Sequence, residues 1–287
     1  MIRVLIIVVL AVAVFGSGAY WTYELFLRPG QDLKAERVAE GAFPALPDPS
    51  LPEFEKCLTL RKQLRTVEAR DSLARFLEQY PASTKLDEAM RQLGELNVAL
   101  FLSPVAGPGK ESYVVKPGDV IMRVASKQKT SPELIMRVNR LPGSMLRVGQ
   151  KLTIVHGDFS LVIDRPRARV VLLKDGRFFK RYEVRSGAGG VSAAAKKGGA
   201  QAGAKVSAKV TDKMAWSAGG QRVTFADKDY LEALHWVQVG GTTLYADEEP
   251  KEGRVVPRGA HGLALAARDM EELAALLRKG DPVTILP

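Results

Sequence analysis

Between Tyr113 and Val155 the chain places two short strands and two short helices in 43 residues, and so small a segment can close a core in very few ways. Tyr113–Lys116 reads as a strand, Pro117-Gly118 as a turn, and Asp119 as the N-cap of a helix carrying Ile121, Val124 and Ala125. Thr130 and Glu133 have capping-box spacing with Pro132 in the first turn, which starts a second helix through Leu134, Ile135 and Val138. The run from Leu146 to Val155 returns as the closing strand. Eight cations face two carboxylates in this segment, so it carries +6 of the chain's net +10.

The other regions are defined by composition. At 287 residues, 46% hydrophobic and 26% charged, the chain has room for about two folded domains, or for more modules of small size. Residues Val4–Tyr23 run without a charge, long enough for one bilayer crossing, with Tyr20, Trp21 and Tyr23 at the interface. The same stretch, with Arg3 before it and Ser17-Gly18-Ala19 after an apolar run, also fits a cleaved signal peptide. Pro29, Gly30, Pro44, Pro47, Pro49 and Pro52 punctuate 28–52, which reads as a stiff linker. Apolar residues at three- and four-residue intervals then predict a helical pair over 53–101, broken at Tyr80-Pro81, with Thr84 and Asp87 opening the second helix. A second linker covers 102–110.

Beyond 159 the period changes to two. Phe159–Asp164 and Ala168–Lys174 alternate as strands, and Asp175-Gly176 is a hairpin turn into Phe178–Arg185. Residues 187–204 hold 13 glycines and alanines in 18 positions, a composition that builds no core and predicts an inserted loop. Strands resume at Lys205–Val210 and Trp236–Val239. Asp269 and Glu272 suggest a capped helix with a stripe of Leu273, Leu276 and Leu277, and Asp281–Leu286 is the last strand. The single cysteine, Cys57, allows no intrachain disulfide, and no Cys/His cluster has metal-ligand spacing, so neither metal nor cofactor is implied. The positive charge suggests an anionic partner surface. Aromatics at 7% and the lack of any nucleic-acid-binding signature exclude DNA and RNA from the expected partners.

The 113–155 pattern resembles the LysM domain, through Y-x-V-x-x-G-D at Tyr113–Asp119, S-P-E-L at Ser131–Leu134, Asn139, and L-x-x-G-Q-x-L at Leu146–Leu152. Where that family commonly reads G-D-T-L-W this chain has Gly118-Asp119-Val120-Ile121-Met122, without the threonine hydroxyl or the tryptophan. The resemblance implies binding of N-acetylglucosamine-containing glycan, as in peptidoglycan, by a shallow groove at Gly118, Asp119, Val120, Asn139, Arg140, Leu141 and Pro142; turn and cap duties account for Gly118 and Asp119 equally well. The C-terminal region resembles the L,D-transpeptidases (YkuD-like), whose signature S-H-G-C-x-R precedes an acidic helix and G-x-P-V-x-I. Here Ala260 stands for the serine, His261 and Gly262 match, Leu263 occupies the nucleophile position and Leu265 the arginine position, while Tyr245 stands where a second histidine is usual. That resemblance implies the fold without the thiol chemistry, leaving His261, Gly262 and Leu263 as the remnant of a site.

The expectation is an α+β multidomain protein. It comprises an N-terminal transmembrane helix or signal peptide (1–27), a Pro-rich linker (28–52), a tetratricopeptide-like helical hairpin (53–101), a linker (102–110), a LysM βααβ module (111–156) and a degenerate, mainly-β sandwich (159–287). The expected function is non-catalytic peptidoglycan binding in the cell envelope, anchored in the inner membrane and facing the periplasm, or secreted if the N-terminus is cleaved. Alternatives are a scaffold that recruits wall enzymes through 53–101, or residual transpeptidase chemistry.

Overall fold

The computed structural model describes residues 48–187, 205–247 except 218 and 226, and 262–286. The expected anchor at 1–27, residues 28–47 of the linker expected at 28–52, the Gly/Ala-rich loop after Gly187 and His261 lie outside the described residues. Among the described residues no helix is long and apolar enough to cross a membrane. Contacts divide the chain into a unit of residues 1–51 and a unit of residues 52–287. In the first, Asp48 Oδ1 accepts from Ser50 N and Oγ at 2.9 and 2.6 Å, an Asp-led turn that starts a helix.

Three helices rather than a hairpin come first: α1 (Ser50–Lys62), which begins in the last two residues of the first unit, α2 (Thr66–Gln79) and α3 (Leu86–Leu102). The extra break falls at Leu64, which adopts φ +59 and is solvent-exposed, although neither glycine nor proline marks it. Lys85, not Thr84, stands at the N-cap position of α3; it makes no side-chain cap bond, and its amide donates to Ser83 Oγ at 3.0 Å. Phe54 and Cys57 of α1, Leu73 and Phe76 of α2, and Ala89, Leu93 and Leu96 of α3 make one small core. Burying these side chains, at roughly 1.5–3 kcal/mol for each large one, is what holds such short helices together.

Next comes a βααβ module: β1 (Lys110–Val114), α4 (Ile121–Lys127), α5 (Pro132–Asn139) and β2 (Lys151–Val155). Its strands pair antiparallel, Tyr113 opposite Leu152, and its core is Val115, Ile121, Val124, Ala125, Ile135, Met136, Leu152 and Ile154.

The rest is nine strands in one hydrogen-bonded path, two groups joined through a shared strand. Its strands are β3 (Phe159–Asp164), β4 (Arg169–Lys174), β5 (Arg177–Glu183), β6 (Val206–Trp216), β7 (Arg222–Val223), β8 (Leu234–Val239), β9 (Thr242–Asp247), β10 (Gly262–Ala266) and β11 (Pro282–Leu286). They lie in the order β10-β9-β8-β6-β11-β3-β4-β5, with β7 also on β6. The sheet stays continuous because β6, at 11 residues, is long enough to be shared: Val206–Lys209 pair with β11, and Val210–Trp216 with β8. A bulge between Val210 and Asp212 separates the halves, and such a bulge bends a strand. The bent sheet curls into a half-barrel whose edges meet, Ala264 of β10 bridging Ser186 just beyond β5. Helix α6 (Ala267–Leu276) fills the curl with Met270, Leu273, Ala274 and Leu276, which pack with Leu161, Leu172, Val237, Leu244 and Leu263. It leaves β10 directly, with Ala266 at the N-cap position and no side-chain cap, so Asp269 is not the cap residue that spacing suggests.

Candidate functional site

The two loops expected to form a groove emerge from the core of the βααβ module. The first, between β1 and α4, is braced by Asp119: its Oδ2 accepts from Tyr113 Oη at 2.7 Å and from Lys116 N at 2.8 Å. Those bonds, the tyrosine's first, hold the Asp119 carboxyl below its ordinary value. The helix it was expected to cap starts after Val120 without a side-chain cap. Gly118 adopts φ +80 with open space around the Cβ position, and its carbonyl accepts from Arg123 at 3.0 Å. Val120 is 53% exposed and Met122 56%, so two apolar side chains face water at the start of α4.

The second loop follows α5. Arg140 closes that helix in the left-handed conformation (φ 52) and is exposed, as is Pro142, while Leu141 packs against the same core as Val115 and Ile121. Asn139 is fully engaged: its Nδ2 donates to Ile135 O and Thr153 O, both at 2.8 Å, and its Oδ1 accepts from Thr153 N at 2.7 Å. It therefore ties α5 to β2, a strand-to-helix clamp that spacing alone does not reveal. Of the seven expected groove residues, Gly118, Val120, Arg140 and Pro142 face outward, and Asp119, Asn139 and Leu141 are committed to the module.

The opposite side of the module is buried on the half-barrel. Leu134, Val138 and Val155 belong to the large core of the sheet, so α5 serves two cores at once. Ser131, one residue after the expected cap Thr130, accepts from Leu134 N at 3.1 Å and donates to Ala275 O at 3.2 Å. Glu133, which the capping-box reading turned back onto its own helix, instead accepts from Tyr230 Oη at 2.7 Å and pairs with Lys213 at 3.2 Å. Burial works against the Glu133 anion; Lys213 and Tyr230 outweigh it and hold the carboxyl below its usual value. Arg137 pairs with Glu271 of α6, and Arg278 donates to Lys129 O at 2.7 Å. His235 stands edge-on to Tyr230, ring centroids 5.1 Å apart, and burial lowers it to about 4, helped by Lys213 and Arg137.

At the remnant of the C-terminal signature, Leu263 is 1% exposed inside β10. Backbone covers it from the barrel's other edge: Arg185 N donates to Ala264 O at 2.8 Å and Ala264 N to Ser186 O at 3.0 Å. A Cβ on Gly187 would stand 1.9 Å from Gly262 O, and one on Gly262 would stand 1.8 Å from Thr243 O, so both glycines are required by close backbone approach. The one cysteine, Cys57, is buried among the helices with its Sγ 3.1 Å from Ser72 Oγ.

Residues 113–155 match the LysM domain, which defines this module's class. The C-terminal part is similar in structure to L,D-transpeptidases. These include one from Stackebrandtia nassauensis (14% identity, 75% of this chain and 76% of that one, TM-score 0.28), one from Mycobacterium smegmatis (12%, 49% and 65%, 0.27) and one from Enterococcus faecium (17%, 45% and 50%, 0.26). The chain thus spans less than two thirds of the mycobacterial and enterococcal proteins. No curated protein matches it.

Proposed function

We propose that this chain is a non-catalytic, wall-glycan-binding protein of the cell envelope, gripping N-acetylglucosamine-containing strands through its LysM module and tethered by its N-terminal apolar segment. The observation that carries the reading is the LysM match at 113–155 combined with the way the module is mounted: α5 faces the half-barrel, and both candidate loops face water. Glycan contact then falls to the Gly118 backbone and to Val120, Arg140 and Pro142, with Asp119 and Asn139 shaping the loops behind them. Exposed apolar side chains beside an exposed guanidinium suit the alternating apolar and polar faces of a sugar. The buried Leu263 and the remote, buried Cys57 support the absence of thiol chemistry.

Co-sedimentation of the full chain with purified sacculi across a salt series tests this. Val120→Asp and Arg140→Glu are expected to lower retention about tenfold each, about 1.4 kcal/mol, and retention of the unaltered chain is expected to fall as salt screens the module's cations. Equal retention of both variants would overturn the groove assignment. A new cross-link or cleavage product in muropeptides incubated with the protein would overturn the non-catalytic part.

A further inference from the structure

Lined by no residue of either loop, a cavity of about 690 Å³ opens between α2, the end of α3, the 103–108 connection and the β4–β5 turn. Its volume is in the roughly 300–1,000 Å³ range of small-molecule sites. Leu100, Phe101, Phe178 and Phe179 give it an apolar lining, and two valines at its margin, Val67 and Val105, are 52% and 70% exposed. Apolar rim residues left in water are surface that an apolar ligand would cover.

The polar part of the lining is one-sided. It holds the cations Arg70, Lys110, Lys174 and Arg177 against a single carboxylate, Asp175, which is paired with Lys174. Among the described residues no carboxylate pairs with Lys110: its ammonium donates to Leu100 O at 2.8 Å and to Ser103 O, closing the C-terminal end of α3, and burial lowers its pKa. No carboxylate forms an ion pair with Arg177 among the described residues. Arg70 Nε lies 2.6 Å from Asp71 Oδ1, yet off the N–H axis, so that buried nitrogen forms a charge contact without an aligned hydrogen bond. A neutral apolar ligand would make no use of the excess of cations over carboxylates in this lining, and a wholly polar anion would leave the exposed faces of Val67 and Val105 in water.

We propose that this cavity binds a small amphipathic anion, an acyl or aryl body seated on Phe101, Phe178 and Phe179 with one carboxylate or phosphate head among Lys110, Arg70 and Arg177. Free fatty acids and single-chain anionic lipids share that chemistry, and either is at hand for a chain held near a membrane. The site is independent of the LysM loops.

Photolabelling of the purified full chain with a diazirine-bearing dodecanoate, mapped by peptide mass spectrometry, tests it. Label is expected in the peptides of α2, α3 and β5, displaced by dodecanoate or dodecyl phosphate and not by dodecyltrimethylammonium. Arg177→Glu and Val67→Asp, both at exposed side chains, are expected to cut that labelling about tenfold, while Arg147→Glu in the LysM module leaves it unchanged. Displacement by lysophosphatidylglycerol at lower concentration than by dodecanoate would assign the lipid as the source; the reverse order would assign the free acid. Label scattered over the chain, equal displacement by the cationic amphiphile, or labelling indifferent to both variants would overturn the proposal.

Discussion

Glu133 on α5 and Glu272 on α6 are held alike: each accepts from a tyrosine hydroxyl, Tyr230 at 2.7 Å and Tyr182 at 2.8 Å, and each pairs with an ammonium, Lys213 at 3.2 Å and Lys180 at 2.7 Å. They differ in what they join and in what stands behind them. Glu133 fastens the LysM module to the half-barrel, whereas Glu272 fastens the barrel's own helix to β5. Lys180 has a second carboxylate, Asp269 at 3.7 Å, and lies 4.9 Å over the Tyr182 ring; Lys213 has Glu133 alone within ion-pair distance among the described residues. A buried pair adds little over an apolar alternative, but breaking one strands a charge. The two networks therefore specify geometry more than they add stability, and the one without a spare partner is the more brittle.

The largest effect follows from that brittleness. Glu133→Ala leaves the Lys213 ammonium and the Tyr230 hydroxyl buried without their acceptor, and should cost about 3–5 kcal/mol. Urea unfolding gives the energy, and limited proteolysis should show the 102–110 connection cut first if the module lifts from the barrel. A loss under 1 kcal/mol would mean that Lys213 finds water, and the contrast with Glu272 would disappear.

The pH dependence belongs to the same network. Burial first, then Lys213 and Arg137, lower His235 to about 4 against the opposing pull of Glu133 and Glu271. The folded chain thus takes up this proton less readily than the unfolded chain, in which histidine titrates near 6.5. The stabilisation is complete above about pH 6.5 and is lost as pH falls toward 4, a drop of about 3 kcal/mol. Glu133, also lowered, loses its share below its ordinary carboxylate value, so the two slopes have the same sign in successive windows. His235→Phe keeps a ring against Tyr230 and should flatten the urea midpoint between pH 4 and 6.5; an unchanged slope would assign it to another group.

Glu272→Ala is the sharper comparison. Lys180 keeps Asp269, so the expected loss is about 2–3 kcal/mol, smaller than at Glu133, with Tyr182 left as the unsatisfied donor. Adding Asp269→Asn should raise the loss beyond the sum of the singles, because the two carboxylates share one cation. Strict additivity would show that Asp269 is no substitute.

Sequence pattern alone misleads at both glutamates for one reason. Each stands three residues after a residue with capping chemistry, Thr130 or Asp269, and that spacing predicts a bond back to the helix's own first turn. Tertiary partners won: Ser131 caps α5 while also reaching Ala275, and α6 grows straight out of β10 with no side-chain cap. What could be read was local and periodic, as with the alternation of β3 and β4, the Asp175-Gly176 turn with φ +51 and +76, and the four elements of the LysM module. The break at Leu64 carried no glycine or proline to announce it, and the bulge between Val210 and Asp212 hid that β6 is one strand serving both halves of a sheet. The groove's outward residues were legible as loop positions. That Asp119 and Asn139 bond inward depends on Tyr113 and Thr153, and neither pairing leaves a mark on spacing.

The smallest effect tests whether the helical unit depends on the same lysine as α6. Gly94 of α3 lies against Lys180: a Cβ there would stand 2.9 Å from its Cγ and 3.2 Å from its Cα. Alongside it Asn97 donates to Phe179 O at 2.8 Å, so α3 rides on the backbone of β5 and on the stem of the side chain whose head holds Glu272. Gly94→Ala gains about 1 kcal/mol of helix propensity. It also forces α3 away from β5 or Lys180 off its rotamer, an overpacking cost of about 1–3 kcal/mol. The clash involves backbone as well as side chain and should win, for a net loss of about 1 kcal/mol. Combined with Lys180→Met, which keeps the stem and removes the ammonium, the loss from Gly94→Ala should persist if the stem supports α3. If it vanishes, the helical unit and α6 are coupled through the ammonium, and the second network fastens two modules just as the first does.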